Sequence, residues 1–496
     1  MLESGLITFD LLWTLYKPNM IAYTTTYGTL NEPRAFKIEY AAKEIPLLRG
    51  DWYKIEGKYL EYDGKTWGMG TICCDVPSFK GARAITSLSC YPIKYHKEEQ
   101  KVREELIDRG KKFVSTQGVR YESYNGLAYY EKSEKIVKVH INGRVMIDPV
   151  AHRRFNPNYP VSTVRDLCES EVPSGCSRSN APIPDATKAQ RKAIPDFTDE
   201  EYLIASSVVL GFAFSEKLWL ELAVSSIKDI TWNDNAYESL VMEKDRKDIL
   251  TALVKSHKYH PAERIDDVIQ GKGKGLVALL HGTPGTGKTL TVESIAEFLK
   301  CPLHIVSAGE LGTNSHRLEV ELKKILDISM TWGCVVLLDE ADVFLEKRTI
   351  QDIHRNALVS VFLRLLEYFQ GILFLTTNRV ETFDDAFQSR IHIALRYGEL
   401  SFQAKKDIFK MFIDRVHIAK GIDHLPFTED DFNNIARHNL NGRQIKNTVR
   451  TAQALAIDKG EKLGMYHIRL VLRLARAFER DLNGGTGYED AMRNYS

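Results

Sequence analysis

Three things are scarce or missing in this 496-residue chain, and each narrows what it can be. No stretch reaches the roughly 18 uninterrupted apolar residues that suggest a membrane span. The nearest, Ile204 to Phe214, is short and runs into Glu216 and Lys217. Charge of one sign is missing too. The 67 Lys and Arg against 66 Asp and Glu leave a net charge of +1, so no bulk field draws the protein to nucleic acid or anionic lipid. Paired cysteines are absent: Cys73, Cys74, Cys90, Cys168, Cys176, Cys301 and Cys334 form an odd set without zinc-type CxxC spacing. They read as free thiols in a reducing compartment. Met1-Leu2-Glu3-Ser4-Gly5 has neither the basic region nor the apolar core of a secretory signal. The expected location is intracellular, cytoplasmic by default, with the nucleus left open. There is no internal repeat and no extended low-complexity tract.

What is present is ordinary globular composition, 27% charged and 44% hydrophobic, in a chain long enough for two or three domains. Within it, Gly282-Thr283-Pro284-Gly285-Thr286-Gly287-Lys288-Thr289 matches the phosphate-binding loop G-x-x-x-x-G-K-[ST]. Glycines there let backbone N–H groups turn inward around phosphates, Lys288 reaches the β and γ oxygens, and Thr289 offers its hydroxyl to Mg²⁺. Leu276 to Leu280 is a short apolar run suited to a buried parallel strand, and Leu290 opens helix-type spacing that continues to Lys300. Strand, glycine-rich loop and helix are the setting this motif requires, so the reading is ATP or GTP binding by residues 282–290.

About fifty residues on, Val335-Val336-Leu337-Leu338-Asp339-Glu340 reads as an apolar strand ending in two acids. A carboxylate at the carboxyl edge of a parallel sheet lies where such sheets hold their ligands. Asp339 is the expected Mg²⁺-side acid and Glu340 the expected base for an attacking water. Asp339 to Asp342 also spell the DEAD signature of certain helicases. No Ser-Ala-Thr motif or basic, aromatic-interleaved tract accompanies it, so the spelling reads as coincidence.

With these motifs in place, the region from about Val268 to Leu474 resembles an AAA-type ATPase. Gly371 to Arg379 is similar to the sensor 1 strand, with Asn378 at its polar tip to position the lytic water. Asp384 to Arg390 resembles the segment that carries an arginine finger, which implies that Arg390 acts on nucleotide held by a neighbouring subunit. Gly442-Arg443-Gln444-Ile445-Lys446-Asn447 resembles sensor 2 of a helical lid, which implies that Arg443 contacts the γ-phosphate of its own subunit. Further segments, among them Ser307 to Gly312 and Arg355 to Leu363, make the chain similar to fungal AAA ATPases with an uncharacterised N-terminal domain. The resemblance implies ATP and Mg²⁺ as cofactors and a homo-oligomeric ring, with six subunits as the family number. Two departures stand out. The segment Gly312-Thr313-Asn314-Ser315-His316 has no aromatic where polypeptide-threading relatives grip substrate, and the finger segment keeps a single arginine.

Residues 1–150 read as a β-rich α+β module. Asp63-Gly64 and Asn142-Gly143 are hairpin-type dipeptides between strand-like runs, and Glu98 to Lys112 is a charged helical insert. Trp52, Tyr53, Tyr59, Tyr62 and Trp67 either fill a sheet core or line a groove for a peptide or single-stranded nucleic acid. Residues 151–197, rich in Pro and Ser, read as a largely disordered linker. Thr198-Asp199-Glu200-Glu201 is a capping box opening a helical bridge over 198–262. An α/β ATPase core with a parallel sheet over 263–399 and a small helical lid over 400–485 complete the expected order. The expected function is ATP hydrolysis driving the remodelling of an unidentified protein client. A slow conformational switch or scaffold and a nucleic-acid remodeller are the alternatives.

Overall fold

In the computed structural model the chain divides into two compact units, Met1–Thr231 and Trp232–Ser496. The structure describes residues 4–26, 32–45, 50–133, 135–166, 195–259, 274–312, 314–348, 352–379, 384–420 and 426–482.

The first unit is built mainly from antiparallel sheets. One has six strands, in the order Arg165–Asp166, Trp67–Pro77, Trp52–Tyr62, Pro33–Glu44, Ile21–Thr25 and Cys90–Pro92. The other combines Arg120–Lys132, Lys135–Ile147, Val208–Ala213, Leu218–Ala223 and Ile227–Lys228. An extra pairing of Leu218–Ala223 with Arg120–Lys132 closes that second sheet on itself, which covers backbone edges that would otherwise stay open. Tyr124 fills its interior and donates its hydroxyl to Leu127 O at 2.7 Å. The helical insert is present as Glu99–Ser115, burying Val102, Leu106, Phe113 and Val114 along one stripe.

Several expectations for this half change. Asp63-Gly64 does lie in a hairpin, with Tyr62 opposite Trp67. Asn142-Gly143 does not: both sit inside the strand Lys135–Ile147, paired with Asn125 and Tyr124, and the chain reverses next to Ser133 instead. A dipeptide able to turn stays extended here because the long flanking strands pair along their whole length, and cross-strand contacts outweigh local preference. The capping box at Thr198 forms, but its helix, Asp199–Leu203, is short, and residues 208–223 are strands of the closed sheet. There is thus no continuous helical bridge over 198–262, and the first unit extends to Thr231. The short, uninterrupted apolar run Val208 to Ala213 suits a buried strand. Of the expected linker, Pro149–Phe155 is a helix and Arg165–Asp166 adds to the six-stranded sheet; residues 167–194, with Cys168 and Cys176, lie outside the described residues. Tyr53, Tyr59 and Trp67 are core residues, so the core-filling reading of the aromatics holds for them.

The second unit centres on a five-stranded parallel sheet. Its strands are Leu276–Gly282, Leu303–Ser307, Val335–Asp339, Ile372–Thr377 and Ile393–Tyr397. In space the Leu276–Gly282 strand lies between Ile372–Thr377 and Ile393–Tyr397, with Val335–Asp339 next and Leu303–Ser307 at the edge. The strands are apolar at successive positions because both faces are covered. Val277, Leu279, Val336, Leu338, Leu373 and Leu375 pack on one side with residues of the helices Ser315–Trp332 and Ile353–Tyr368. Ala278, Leu280, Val335, Leu337 and Phe374 pack on the other with Leu250, Val254, Val292 and Ile295. Alternate residues of one strand thus serve opposite layers, the period-two consequence of strand geometry. The lid follows as helices Phe402–Lys420, Glu429–Ala436, Gly442–Asp458 and Met465–Leu482 around a core that includes Phe409, Ile445, Val449 and Ile468. Thr428 with Asp431, and Asn441 with Gln444, form capping boxes that fix two of the helix starts.

Candidate nucleotide site

The carboxyl ends of the sheet's central strands bring the two sequence motifs together. Gly282 closes the strand Leu276–Gly282 with φ 140°, and a Cβ there would come within 1.9 Å of Tyr397 O. Gly285 and Gly287 also have positive φ, 76° and 103°, a region that favours glycine. The loop Thr283, Pro284, Gly285, Thr286 then delivers the chain into the helix Lys288–Leu299, which starts without a side-chain cap. Its first N–H groups, together with the helix dipole, suit an anion. Leu290, expected to border this loop, is 51% exposed.

Lys288 is 8% exposed, and its ammonium donates to Gly282 O at 2.9 Å, Thr283 O at 2.9 Å and Asn378 Oδ1 at 2.8 Å. Burial pushes the lysine below its ordinary range; Asp339 and Asp342 push back upward, and Arg443 adds to the fall. Thr289 Oγ1 approaches the two Asp339 carboxylate oxygens at 3.4 and 3.5 Å. A hydroxyl and a carboxylate side by side are hard oxygen donors, the type Mg²⁺ accepts alongside phosphate oxygens and water. Among the described residues no group of three or more His, Cys, Asp or Glu is placed to hold a metal.

The acidic strand end is held by residues to which the sequence reading gave no role. Thr376, 1% exposed, donates its hydroxyl to Asp339 and accepts from the Glu340 N–H at 3.0 Å. Glu340 itself has φ 55°, a left-handed conformation uncommon outside glycine, and its side chain is exposed. Asp342 accepts from the Thr377 hydroxyl and from the Asn378 N–H, the latter at 3.2 Å. The fourth letter of the DEAD spelling therefore braces the turn carrying Asn378. The signal for these residues was in the sequence: two threonines ending an otherwise apolar strand, Ile372–Thr377, whose hydroxyls need partners there.

The remaining residues sit farther out. Arg390 forms an ion pair with Glu367 of the same chain and donates to Ala386 O at 2.7 Å. Nearby, Arg348 holds Asp384 through a forked contact at 2.8 and 3.3 Å. Arg443 is exposed in the first turn of the helix Gly442–Asp458, close enough to Lys288 to influence its charge. Gly285 meets the cap of that same helix: a Cβ at Gly285 would lie 2.7 Å from Asn441 Cγ. The phosphate loop and the lid helix thus touch directly. The polar segment before Ser315–Trp332 also has a local reason, because Asn314 Oδ1 accepts from the His316 and Arg317 N–H groups at 3.0 and 3.1 Å. Thr313 lies outside the described residues.

Comparison with known proteins agrees with this geometry. Residues 278–398 match the model of the ATPase family associated with various cellular activities (AAA), and residues 1–97 match a domain of unknown function, DUF7025. The chain is 27% identical over 202 residues to human ATPase family AAA domain-containing protein 3B, covering 37% of this chain and 31% of that protein. It is 29% identical over 150 residues to the ATPase family AAA domain-containing protein 3A homolog of Drosophila melanogaster, covering 29% of this chain and 25% of that one. A putative 26S proteasome regulatory subunit homolog of Methanothermobacter thermautotrophicus is 28% identical over 218 residues, covering 42% of this chain and 55% of that protein. The chain therefore spans between a quarter and about half of the length of these relatives. Motif, sheet order and family match agree on one conclusion: residues 278–398 are an AAA ATPase domain, carried behind an N-terminal DUF7025 domain.

Proposed function

We propose that this protein binds and hydrolyses Mg-ATP at the 282–290 loop and uses the cycle to remodel a protein or protein complex. The observation that carries the reading is the convergence on Lys288 and Asp339. Lys288 is tied to Asn378, and Asp339 is tied through Thr376 to the backbone of Glu340. The residues needed for phosphate binding and water activation are then linked by side chains of neighbouring strands.

In this reading the loop N–H groups and Lys288 hold the β and γ phosphates, with Lys288 exchanging its carbonyl contacts for phosphate oxygens. Thr289 and Asp339 hold Mg²⁺, which supplies neutralisation of the charge that develops during phosphoryl transfer. Asn378 orients a water, and Glu340 accepts its proton. Arg443 reads the γ-phosphate from the lid, and the contact of Asn441 with Gly285 provides a short route from nucleotide state to lid position. Arg390 serves a neighbouring subunit in a homo-oligomeric ring, after releasing Glu367. The decisive test is the pair Lys288→Ala and Glu340→Gln: the first should lose nucleotide binding, the second should bind Mg-ATP without turning it over. A Glu340→Gln chain that retains its client in a pull-down would identify what is remodelled.

The Arg390–Glu367 pair favours a second reading, a slow conformational switch. An arginine already paired within its own chain is not free for a neighbour, so turnover would stay low until assembly or a client breaks that pair. Tight ATP binding with negligible turnover at all protein concentrations would select this alternative.

A further inference from the structure

The first unit contains a cavity of about 530 Å³. That is the size of a small-molecule site, about 300–1,000 Å³. Strands of both of its large sheets contribute: Arg34, Tyr59 and Glu61 from one, Ile147, Val208 and Glu221 from the other.

The polar lining is asymmetric. Of the three lining carboxylates, Asp75 is exposed and the other two each accept a hydrogen bond within the protein: Glu61 Oε1 takes the Tyr62 N–H at 3.0 Å, and Glu221 Oε1 takes the Tyr159 hydroxyl at 2.8 Å. The arginines keep donors in reserve. Arg34 is 6% exposed, and its Nε is buried without a partner; Nε and Nη2 of Arg153 are in the same condition. A buried donor without an acceptor is costly, and more so when charged. Arg109, near Arg34, also has unpartnered Nε and Nη2. Burial pushes its guanidinium down to about 10; Glu32 opposes that shift and Arg34 adds to it. Arg34 and Arg153 therefore bring unused donors to the cavity lining, while Arg109, outside that lining, has Glu32 nearby, whose Oε2 is itself unpartnered.

Part of the remaining wall is apolar and suits an apolar body. Tyr62, Phe113, Pro160 and Val161 line the cavity. The Arg34 guanidinium lies 4.4 Å from the centre of the Tyr59 ring, and Tyr59 donates to Ser162 Oγ at 2.7 Å. Stacking of this kind fixes the plane of the guanidinium fork, which prepares it for a carboxylate or phosphate.

We propose that this cavity binds a small organic anion, an apolar or aromatic body bearing a carboxylate or phosphate group that pairs with Arg34 and Arg153. The site is separate from the nucleotide loop and gives the N-terminal unit a ligand of its own. Cys73 and Cys74 line the same cavity and provide a local reporter.

The test follows the iodoacetamide alkylation rate of these two thiols in the full chain, by peptide mass spectrometry, while phenyl phosphate or phenylacetate is titrated. At least one probe should slow the labelling saturably. Protection by phenyl phosphate alone assigns a phosphate head, by phenylacetate alone a carboxylate; either outcome supports the site. Arg153→Gln should raise the half-protecting concentration about tenfold or more, the equivalent of one charge-assisted hydrogen bond. Arg34→Lys, which keeps the charge but loses the fork, should weaken protection as well. Absence of saturable protection by both probes, or protection unchanged in folded Arg153→Gln protein, would overturn the proposal.

Discussion

Thr376→Val is the substitution that tests the candidate site most sharply, because valine keeps the shape of threonine and removes only its hydroxyl. That hydroxyl donates to Asp339 and accepts from the Glu340 N–H at 3.0 Å. A hydrogen bond to a carboxylate is worth about 1.5–3 kcal/mol and a neutral one about 0.5–1.5 kcal/mol. Against this stands Glu340 at φ 55°, where a non-glycine residue carries strain of about 1–3 kcal/mol. The two scales match, so the Thr376 bond is of the size needed to hold Glu340 in its unusual conformation. Without it, the acid turn relaxes and Glu340 loses its aim. Turnover should fall about 10- to 100-fold, equivalent to about 1.4–2.8 kcal/mol of barrier. Nucleotide affinity should change little, since none of the Lys288 contacts involves Thr376. Thr376→Ser should restore most of the rate. A coupled ATPase assay beside a fluorescent-nucleotide titration separates the two effects. Parent-like turnover in a folded Thr376→Val protein, or a serine variant as slow as the valine one, would refute the reasoning.

Lys288→Ala should abolish nucleotide binding, since the loop loses its charged partner for the phosphates; calorimetric titration with Mg-ATP checks this. Glu340→Gln should retain Mg-ATP yet lose turnover by roughly two to four orders of magnitude, the usual scale for a general base. Arg390→Ala should lower turnover with ATP affinity nearly unchanged, and mixing it with Glu340→Gln protein should restore some activity; constant specific activity on dilution and no rescue would remove the ring model. For Glu61, burial raises the carboxyl from 4.5 to about 7, with the Tyr62 N–H and Arg34 opposing. A raised folded-state pKa means that this contribution is fully present below about 4.5 and is lost as pH rises through about 7. Denaturant titrations at pH 5 and pH 8 should therefore show the parent losing on the order of 2–3 kcal/mol relative to Glu61→Gln, a tenfold change in proton affinity being worth about 1.4 kcal/mol. The buried His152, pushed down to about 4 by burial and then by Arg153, acts in the opposite direction but is common to both proteins.

The sequence by itself determined the features that depend on near neighbours. The loop Gly282 to Thr289, the apolar strand ending at Asp339 and the helix start at Thr198 are read from spacing, because their geometry is set within a few residues. The parallel sheet followed, since its central strands are largely apolar and alternate with helices. Tertiary structure decided what depends on pairing at a distance. Asn142-Gly143 has the chemistry of a turn, yet it lies in a long strand because its partner, Arg120–Lys132, runs past it. Residues 208–223 are strands for the same reason: the sheet they close is made by segments far earlier in the chain. The partners that Thr376 and Asp342 take, and the pairing of Arg390 with Glu367, were likewise decided by tertiary structure. A hydroxyl or a charge takes its meaning from the partner that the fold brings to it, and no spacing rule along the chain specifies that partner.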